Sequence, residues 1–443
     1  MLTSWHRALL LIVIVLPFLG QSVPYPGGIP LFLPFAALLL PVTVLMRLAD
    51  RGASSFVLGD TLFMMLVVIL LLGYAYGVIL STDFPGISLL RDAITGIVAM
   101  TVVFTVANSE WSEAERDNLV RATAWVLFLI GIFVATLGAW KLWFFVSRGQ
   151  TLEFVAVASS GPYPWGTSLV SDYNFYALTI LTSILAGLFL CIGRRPSGQV
   201  VLALGISALI LVGFMAGSRR FWVAAPLFLI VQLTWMVRGA GVRRFVPLIG
   251  TMLLVLVAAP LVILARSDQE LGQLLNAGWN LQYRLSTLLD SGSGFGLRDR
   301  FELWFLAADR LTGLTPWVGS GFDYMRWFSC EFGDCSGDGY PHMPVLSAYL
   351  YGGIVAGAAV IVLYVYTIVA GVRLMSFGNA MGWIIFPLMA AFFFSAISAN
   401  GPLSIRAHVL LGALCVGFLH AELAEARKVS ASSISNVRAI TTQ

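Results

Sequence analysis

Residues 245–266 read FVPLIGTMLLVLVAAPLVILAR. A spanning α-helix needs about 20 consecutive, mostly apolar residues. This run carries no charge until Arg266 closes it. The only long polar interval of the chain follows. It passes through a glycine-rich segment to Arg298-Asp299-Arg300-Phe301-Glu302-Leu303-Trp304 and crosses Gly319-Ser320-Gly321. It ends at Tyr340-Pro341-His342-Met343-Pro344, where the next apolar run starts. Of the 443 residues, 59% are hydrophobic and only 11% charged, with a mean hydropathy of +0.89. A soluble domain carries roughly 25% charged residues. A deficit spread over the whole length excludes a soluble core and predicts an all-α polytopic membrane protein.

Comparable runs lie near Ala8–Val23, Ile29–Met46, Phe56–Leu80, Leu89–Ala107, Leu119–Phe145 and Tyr173–Ile192. Others lie near Val200–Ala216, Phe221–Val237, Val345–Arg373, Met381–Ala399 and Ile405–His420. With Phe245–Ala265 they predict about 12 transmembrane helices. Pro24, Pro26 and Pro30 interrupt the first pair, which also reads as a broken hairpin. The spans form one bundle over residues 1–422, with 266–344 as a long loop between spans 9 and 10. Residues 423–443, rich in Ser, Ala and Thr, read as a disordered tail. The first run lacks a small-residue cleavage site, so no cleavable signal is expected.

Short-loop cations give the orientation. Arg7, Arg47, Arg51, Arg194, Arg195, Arg238, Arg243, Arg244, Arg373, Arg427 and Lys428 all fall on one side of a 12-span chain. That side is read as the cytoplasm, and both termini lie on it. The outer connections are then Ser81–Ser88, Ser147–Ser171, Gly217–Arg220, Arg266–Pro344 and Asn400–Ser404. Within the longest, Leu274, Leu275, Trp279, Leu285 and Leu288 give Leu271–Leu289 the spacing of an amphipathic helix on the membrane surface. Phe301–Leu311 reads as a second short helix.

Positive charge also stands where the orientation rule disfavours it. The outer loops and their margins hold Arg91, Lys141, Arg148, Arg219, Arg220, Arg266, Arg284, Arg298, Arg300, Arg310, Arg326 and Arg406. The planar guanidinium fork suits phosphate and carboxylate oxygens. Taken singly, each arginine also fits a lipid headgroup or a loop acid such as Asp268, Asp299 or Glu302. Taken as a set, they predict an anion site facing outward. Ala216-Gly217-Ser218-Arg219-Arg220 leaves almost no loop between two runs, which holds its arginines at the membrane edge.

Among four histidines, only His342 lies inside an outer loop, between Pro341 and Pro344. An imidazole near its ordinary pKa of about 6.5 can accept a proton at neutral pH. A hydrogen-bonded structural histidine is the competing reading. Cys330 and Cys335 flank a short Gly-containing segment and predict a small disulfide loop in an oxidising compartment. Their surroundings have no recognised zinc spacing, so no metal is expected. Cys191 and Cys415 lie in apolar runs as packing residues. Asp172 reads as a helix cap, with Asn174 hydrogen-bonding inside the bundle or to a sugar. Arg91 and Asp92 read as a local ion pair or as part of the site.

Taken in order, these pieces resemble the O-antigen ligase and polymerase family of bacterial envelope enzymes. The resemblance rests on Asp172, Asn174 and Ala177 before a span, then on Gly217-Ser218-Arg219. Arg300 and Trp304 follow, with the turn Gly319 and Gly321, and then His342, Leu346, Gly352, Gly353 and Gly357 at a span start. It covers roughly residues 172–357. The family usually has Asn after the histidine, where this chain has Met343.

The resemblance implies a GT-C-like glycosyltransferase of the bacterial inner membrane, with its active site facing the periplasm and no cofactor or metal. The donor it implies is a glycan on undecaprenyl diphosphate. The acceptor is a sugar hydroxyl on lipid A–core or on a lipid-linked repeat. Membrane lipids and other polysaccharide-assembly proteins are further expected partners; nucleic acid is not. His342, Arg219 and Arg300 take the catalytic positions, with Arg220, Arg266, Arg284, Arg298, Asp172 and Asn174 binding substrate. A secondary transporter or flippase is the rival reading, because 12 spans with both ends inside is a common transporter layout. Against it stand the very short central turn at Gly193–Gly198 and the absence of a duplicated half. A non-catalytic scaffold is a third reading.

Overall fold

A computed structural model describes residues 2–19, 32–49, 56–82, 87–148, 173–216, 218–265, 304–305, 309, 313–332, 341–396 and 401–441. The described residues contain helices and no strand. The helices are α1 (Leu2–Leu19), α2 (Phe32–Ala49), α3 (Thr61–Leu80), α4 (Ile87–Ala107), α5 (Glu113–Arg148), α6 (Tyr173–Leu190), α7 (Pro196–Met215), α8 (Arg219–Ala240) and α9 (Val246–Ala265). Two short ones follow, α10 (Thr315–Val318) and α11 (Asp323–Phe332), then α12 (Pro344–Ser376), α13 (Ile385–Ser395) and α14 (Arg406–Thr441). Among the described residues, eight helices are long and apolar enough to cross a membrane, and Ser4–Leu19, Asn174–Leu190 and Ala380–Ser395 are shorter apolar helices. The protein is an all-α membrane protein.

Local sequence explains where the helices start. Asp60 caps α3, its Oδ1 accepting from the Phe63 amide at 2.9 Å, while its other oxygen accepts from the Tyr366 hydroxyl. That pair also ties α3 to α12. Pro196 and Pro344 open α7 and α12 at their first turns, where no amide hydrogen is needed. Small residues set the close approaches. A Cβ on Gly131 would come within 2.2 Å of Ser183, so α5 and α6 touch nearly backbone to backbone.

Polar contacts sort the helix termini into two ends. At one end, His6 Nε2 lies 2.9 Å from Thr43 Oγ1, which lies 3.1 Å from Thr105 Oγ1. Arg7 pairs with Glu115 at 2.7 Å, Arg116 pairs with Glu422, and Asn379 donates to Glu422 at 2.9 Å. The starts of α4, α6, α8, α12 and α14 gather at the other end, together with α10 and α11.

There α12 is broken. Gly353 has φ 71° and ψ −168° inside the helix, which interrupts its hydrogen-bond ladder. The turn Gly319-Ser320-Gly321 fills the break. The Ser320 amide donates to the Leu350 carbonyl at 2.7 Å and the Gly321 amide to the Tyr351 carbonyl at 3.2 Å. The Ser320 hydroxyl adds a second bond to Leu350 at 3.0 Å. A Cβ on Gly319 would meet Gly352 N, Gly353 N and Tyr351 C at 2.6 Å, and one on Gly353 would meet Trp317 O at 2.1 Å. The adjoining Phe322 amide donates to Ser81 Oγ at 2.7 Å, and the Thr82 amide donates to Asp323 at 2.9 Å. The segment from Ser320 to Asp323 is thus stitched to α3 and α12.

Some expectations differ from what is observed, and some fall elsewhere. α14 runs as helix to Thr441, through residues whose composition reads as a disordered tail. The Ala, Glu, Arg and Lys residues after Leu423 favour helix, and extending an existing helix adds a bond for each residue fixed. Trp304, Phe305 and Asp309 are helical; the rest of Phe301–Leu311, all of Leu271–Leu289 and Pro24–Pro30 lie outside the described residues.

Gly353→Ala is expected to lower the thermal midpoint of the detergent-solubilised protein. The left-handed dihedral alone costs about 1–3 kcal/mol for a side-chain-bearing residue, and the Trp317 carbonyl blocks the added methyl. An unchanged midpoint would contradict this account of the break.

Candidate functional site

The end of the bundle that carries the broken helix also carries every described residue that the sequence nominates for catalysis or substrate binding. Ser218 precedes α8 with an extended backbone but does not cap it. Its hydroxyl is spent elsewhere, donating to Asn174 Oδ1 at 2.9 Å. Ser218 and Asn174 are both buried, and their bond joins the start of α6 to the start of α8. Arg219 is therefore the first residue of a helix whose entry is fixed by a buried hydrogen bond. Arg219 and Arg220 are half-buried.

Arg220 reaches across to α13. Its Nη1 donates to the Phe394 carbonyl at 2.8 Å, near the helix C-terminus at Ser395. Carbonyls in a last helical turn lack intrahelical donors, and a cation there also suits the helix dipole. One nitrogen of Arg220, expected to bind substrate, is thus committed to structure.

His342 sits at φ 54°, the only non-glycine residue with positive φ among the described residues. An L-residue seldom adopts that region. Prolines on both sides limit how the chain can relax: Pro341 precedes it, and Pro344 opens α12 after an extended Met343. The Pro341 carbonyl accepts from the Trp304 indole at 2.7 Å, so the Trp304 segment is docked beside the histidine. Aromatic packing supports this side of the site: the rings of Phe322 and Tyr351 stack at 5.0 Å, and Tyr351 lies 5.1 Å from Tyr74.

The described nominees form two groups. Asn174, Arg219 and Arg220 belong to α6 and α8; His342 belongs to the entry of α12. Helix α13 packs against α6, α8 and α12. Arg300, Arg266, Arg284, Arg298, Asp172 and Cys335 lie outside the described residues. Cys330, in α11, is disulfide-bonded, while Cys191 and Cys415 are free and buried.

Sequence reading does not join the members of a third group. It reads Arg91 and Asp92 as a local ion pair or as part of the site, and Arg406 as one of the outer cations. The Asp92 carboxylate also faces Arg406, at 4.0 Å, with both side chains largely buried. Gly401 completes the corner: a Cβ there would lie 2.8 Å from Asp92 Oδ2 and 2.9 Å from the Tyr74 hydroxyl. No periodicity or motif links residues so far apart. The one available signal is the presence of charge at Asp92 and Arg406 inside apolar helices, where ionisable groups are rare and tend to pair.

No protein-family model matches the chain, and no curated protein matches it. The arrangement itself therefore carries the functional argument. It offers half-buried guanidinium groups at a helix start and a conformationally constrained imidazole, both at the same end of a membrane bundle.

Ser218→Val is expected to destabilise the protein by about 1–3 kcal/mol, because it removes a buried donor from the Asn174 amide oxygen. Thermal unfolding in detergent measures this. A variant as stable as the parent would mean that the bond does not fix the α8 entry.

Proposed function

We propose that this protein is a membrane glycosyltransferase that moves glycan from undecaprenyl diphosphate to a sugar hydroxyl at the outer face of the bacterial inner membrane. In this reading the chain crosses the membrane 12 times with both termini in the cytoplasm, and the polar interval between spans 9 and 10 covers the site. The resemblance to O-antigen ligases and polymerases supplies the reaction class. The observation that carries the proposal is the left-handed His342. Backbone strain of this kind persists where surrounding structure enforces it, and it clusters at functional sites.

The chemistry follows from the residues. The acceptor oxygen attacks the anomeric carbon while the bond from that carbon to the diphosphate oxygen breaks. The bonding pair leaves with the diphosphate, and His342 takes the acceptor's proton. Negative charge grows on the departing group. Arg219 and Arg300 meet it with fixed positive charge in a site of low dielectric, where such stabilisation is strongest. Trp304 follows Arg300 in the sequence, and its bond to Pro341 supports placing that arginine's segment near His342. Arg220, partly held by Phe394, keeps α13 against the site.

Arg219→Ala and Arg300→Ala are each expected to cut glycan transfer by at least about a hundredfold, the scale for losing one transition-state charge partner. His342→Gln is expected to cost about 10²–10⁴-fold as the loss of a general base. A glycan ladder assay with matched membrane insertion measures all three. Wild-type transfer by both arginine variants would sink the proposal. Orientation has its own test: a reporter after Leu423 should report the cytoplasm, and one inserted between Gly292 and Gly296 the outside. The opposite result would place the site on the wrong face.

A further inference from the structure

Charge is divided unevenly at the end of the bundle opposite the candidate site. Helices α1, α5 and α14 balance theirs: Arg7 pairs with Glu115 at 2.7 Å, and Arg116 pairs with both Glu422 and Glu425. Helices α6 to α9 do not. Residues 173–265 contain seven arginines and neither Asp nor Glu. Arg219 and Arg220 lie at the site end. The other five, Arg194, Arg195, Arg238, Arg243 and Arg244, lie in or beside the α6–α7 and α8–α9 turns, and all five are exposed. Among the described residues none of the five pairs with a carboxylate.

Packing brings the two turns to one level. Gln232 Nε2 on α8 donates to the Leu185 carbonyl on α6 at 3.0 Å. The arginines of both turns follow within about three helical turns of that bond. Helix α7 packs against both α6 and α9, and Arg194 lies over the Trp125 ring of α5 at 5.4 Å. Below the arginines the helices turn apolar faces away from the bundle. On α8, Leu227 and Val231 are exposed; they stand 11 and 7 residues before Arg238, on the same side of the helix. On α9, Val246, Leu253 and Val257 are exposed beneath Arg243 and Arg244. Gly241, between Arg238 and Arg243, has φ 81°, and a Cβ built there meets nothing within 4 Å among the described residues. The turn itself is therefore uncovered.

We propose that this surface binds anionic phospholipid, with the lipid phosphates held by the arginines of the two turns and the acyl chains lying along α8 and α9. The guanidinium fork suits phosphate oxygens, and basic clusters between spanning helices at headgroup level bind phosphate-bearing lipid heads. A soluble acidic partner would use the arginines and leave the adjoining apolar faces uncovered. A lipid satisfies both. The inference rests on the chain's being embedded in a membrane, and it depends neither on glycosyl transfer nor on which compartment this end faces.

Native mass spectrometry of the intact, detergent-solubilised protein tests it, with dioleoylphosphatidylglycerol and dioleoylphosphatidylcholine offered in equal amounts. The two lipids share their acyl chains and differ in headgroup charge. The wild type should retain the anionic lipid over the zwitterionic one by more than the about fivefold that a single arginine contributes near an anionic surface. Arg243→Gln should lower that ratio by about fivefold. Arg7→Gln, which removes the same charge from the ion-paired half, should leave the ratio unchanged. A wash in inorganic phosphate before the measurement should leave the lipid bound, because its acyl chains also hold it. Equal retention of the two lipids by the wild type would overturn the proposal, and this comparison needs no variant. An equal loss in Arg7→Gln and Arg243→Gln would overturn it too, by assigning the preference to net charge. Removal of the lipid by the phosphate wash would also overturn it, by assigning the arginines to a soluble anion.

Discussion

The structure depends on keeping every backbone carbonyl satisfied where no water can reach it. In lipid each unsatisfied amide or carbonyl costs several kcal/mol, which is why spanning segments are continuous helices. At Gly353 this chain departs from that rule. The departure is tolerated because amides of the Ser320-Gly321 turn reach the Leu350 and Tyr351 carbonyls. Two glycine-bearing segments far apart in sequence make this possible, since neither Gly319 nor Gly353 leaves room for a methyl group. The segment from Gly319 to Asp323 is consequently part of the bundle wall. The same principle recurs at α13, where a guanidinium satisfies a terminal carbonyl.

These bonds explain why the nominated residues end up where they do. His342 stands just before a helix whose first turns are pinned by the inserted turn and by Tyr74 and Phe322 packed on Tyr351. Arg219 stands just after a serine whose hydroxyl is locked to Asn174. In both cases a chemically useful side chain adjoins a rigid junction, which is how a site on a helix end acquires precise geometry. The proposed transferase uses that rigidity, because charge stabilisation depends on groups fixed before the reaction begins.

The fold was largely legible because the bilayer imposes length and apolarity, both visible in composition. The run read as Phe245–Ala265 is the helix Val246–Ala265. Errors arise where helices extend into polar sequence. The run from Val200 begins at Pro196 in the structure, since Pro-Ser-Gly-Gln is compatible with a helical first turn but has no hydropathic signature. Glu113–Arg116 start α5 in the same hidden way. The described part of the run read as Met381–Ala399 is a 3-10 turn, Ala380–Ile384, followed by the short α-helix Ile385–Ser395, a distinction that hydropathy does not encode. Of the candidate site, residue types were legible and adjacency was not. Prolines flagged His342 as constrained, whereas nothing in the order of residues joined Asp92 to Arg406 or Arg220 to Phe394.

Breaking α12 at Gly353 divides it into two levers on one pivot. The longer arm is moored to α3 through the Tyr366–Asp60 contact. The shorter arm carries the imidazole at its tip and is gripped by the inserted turn. Pulling that turn outward would strip two carbonyls of their donors in a dry medium, so turn and short arm must travel together. Any displacement of the turn would therefore be passed to the backbone that carries His342.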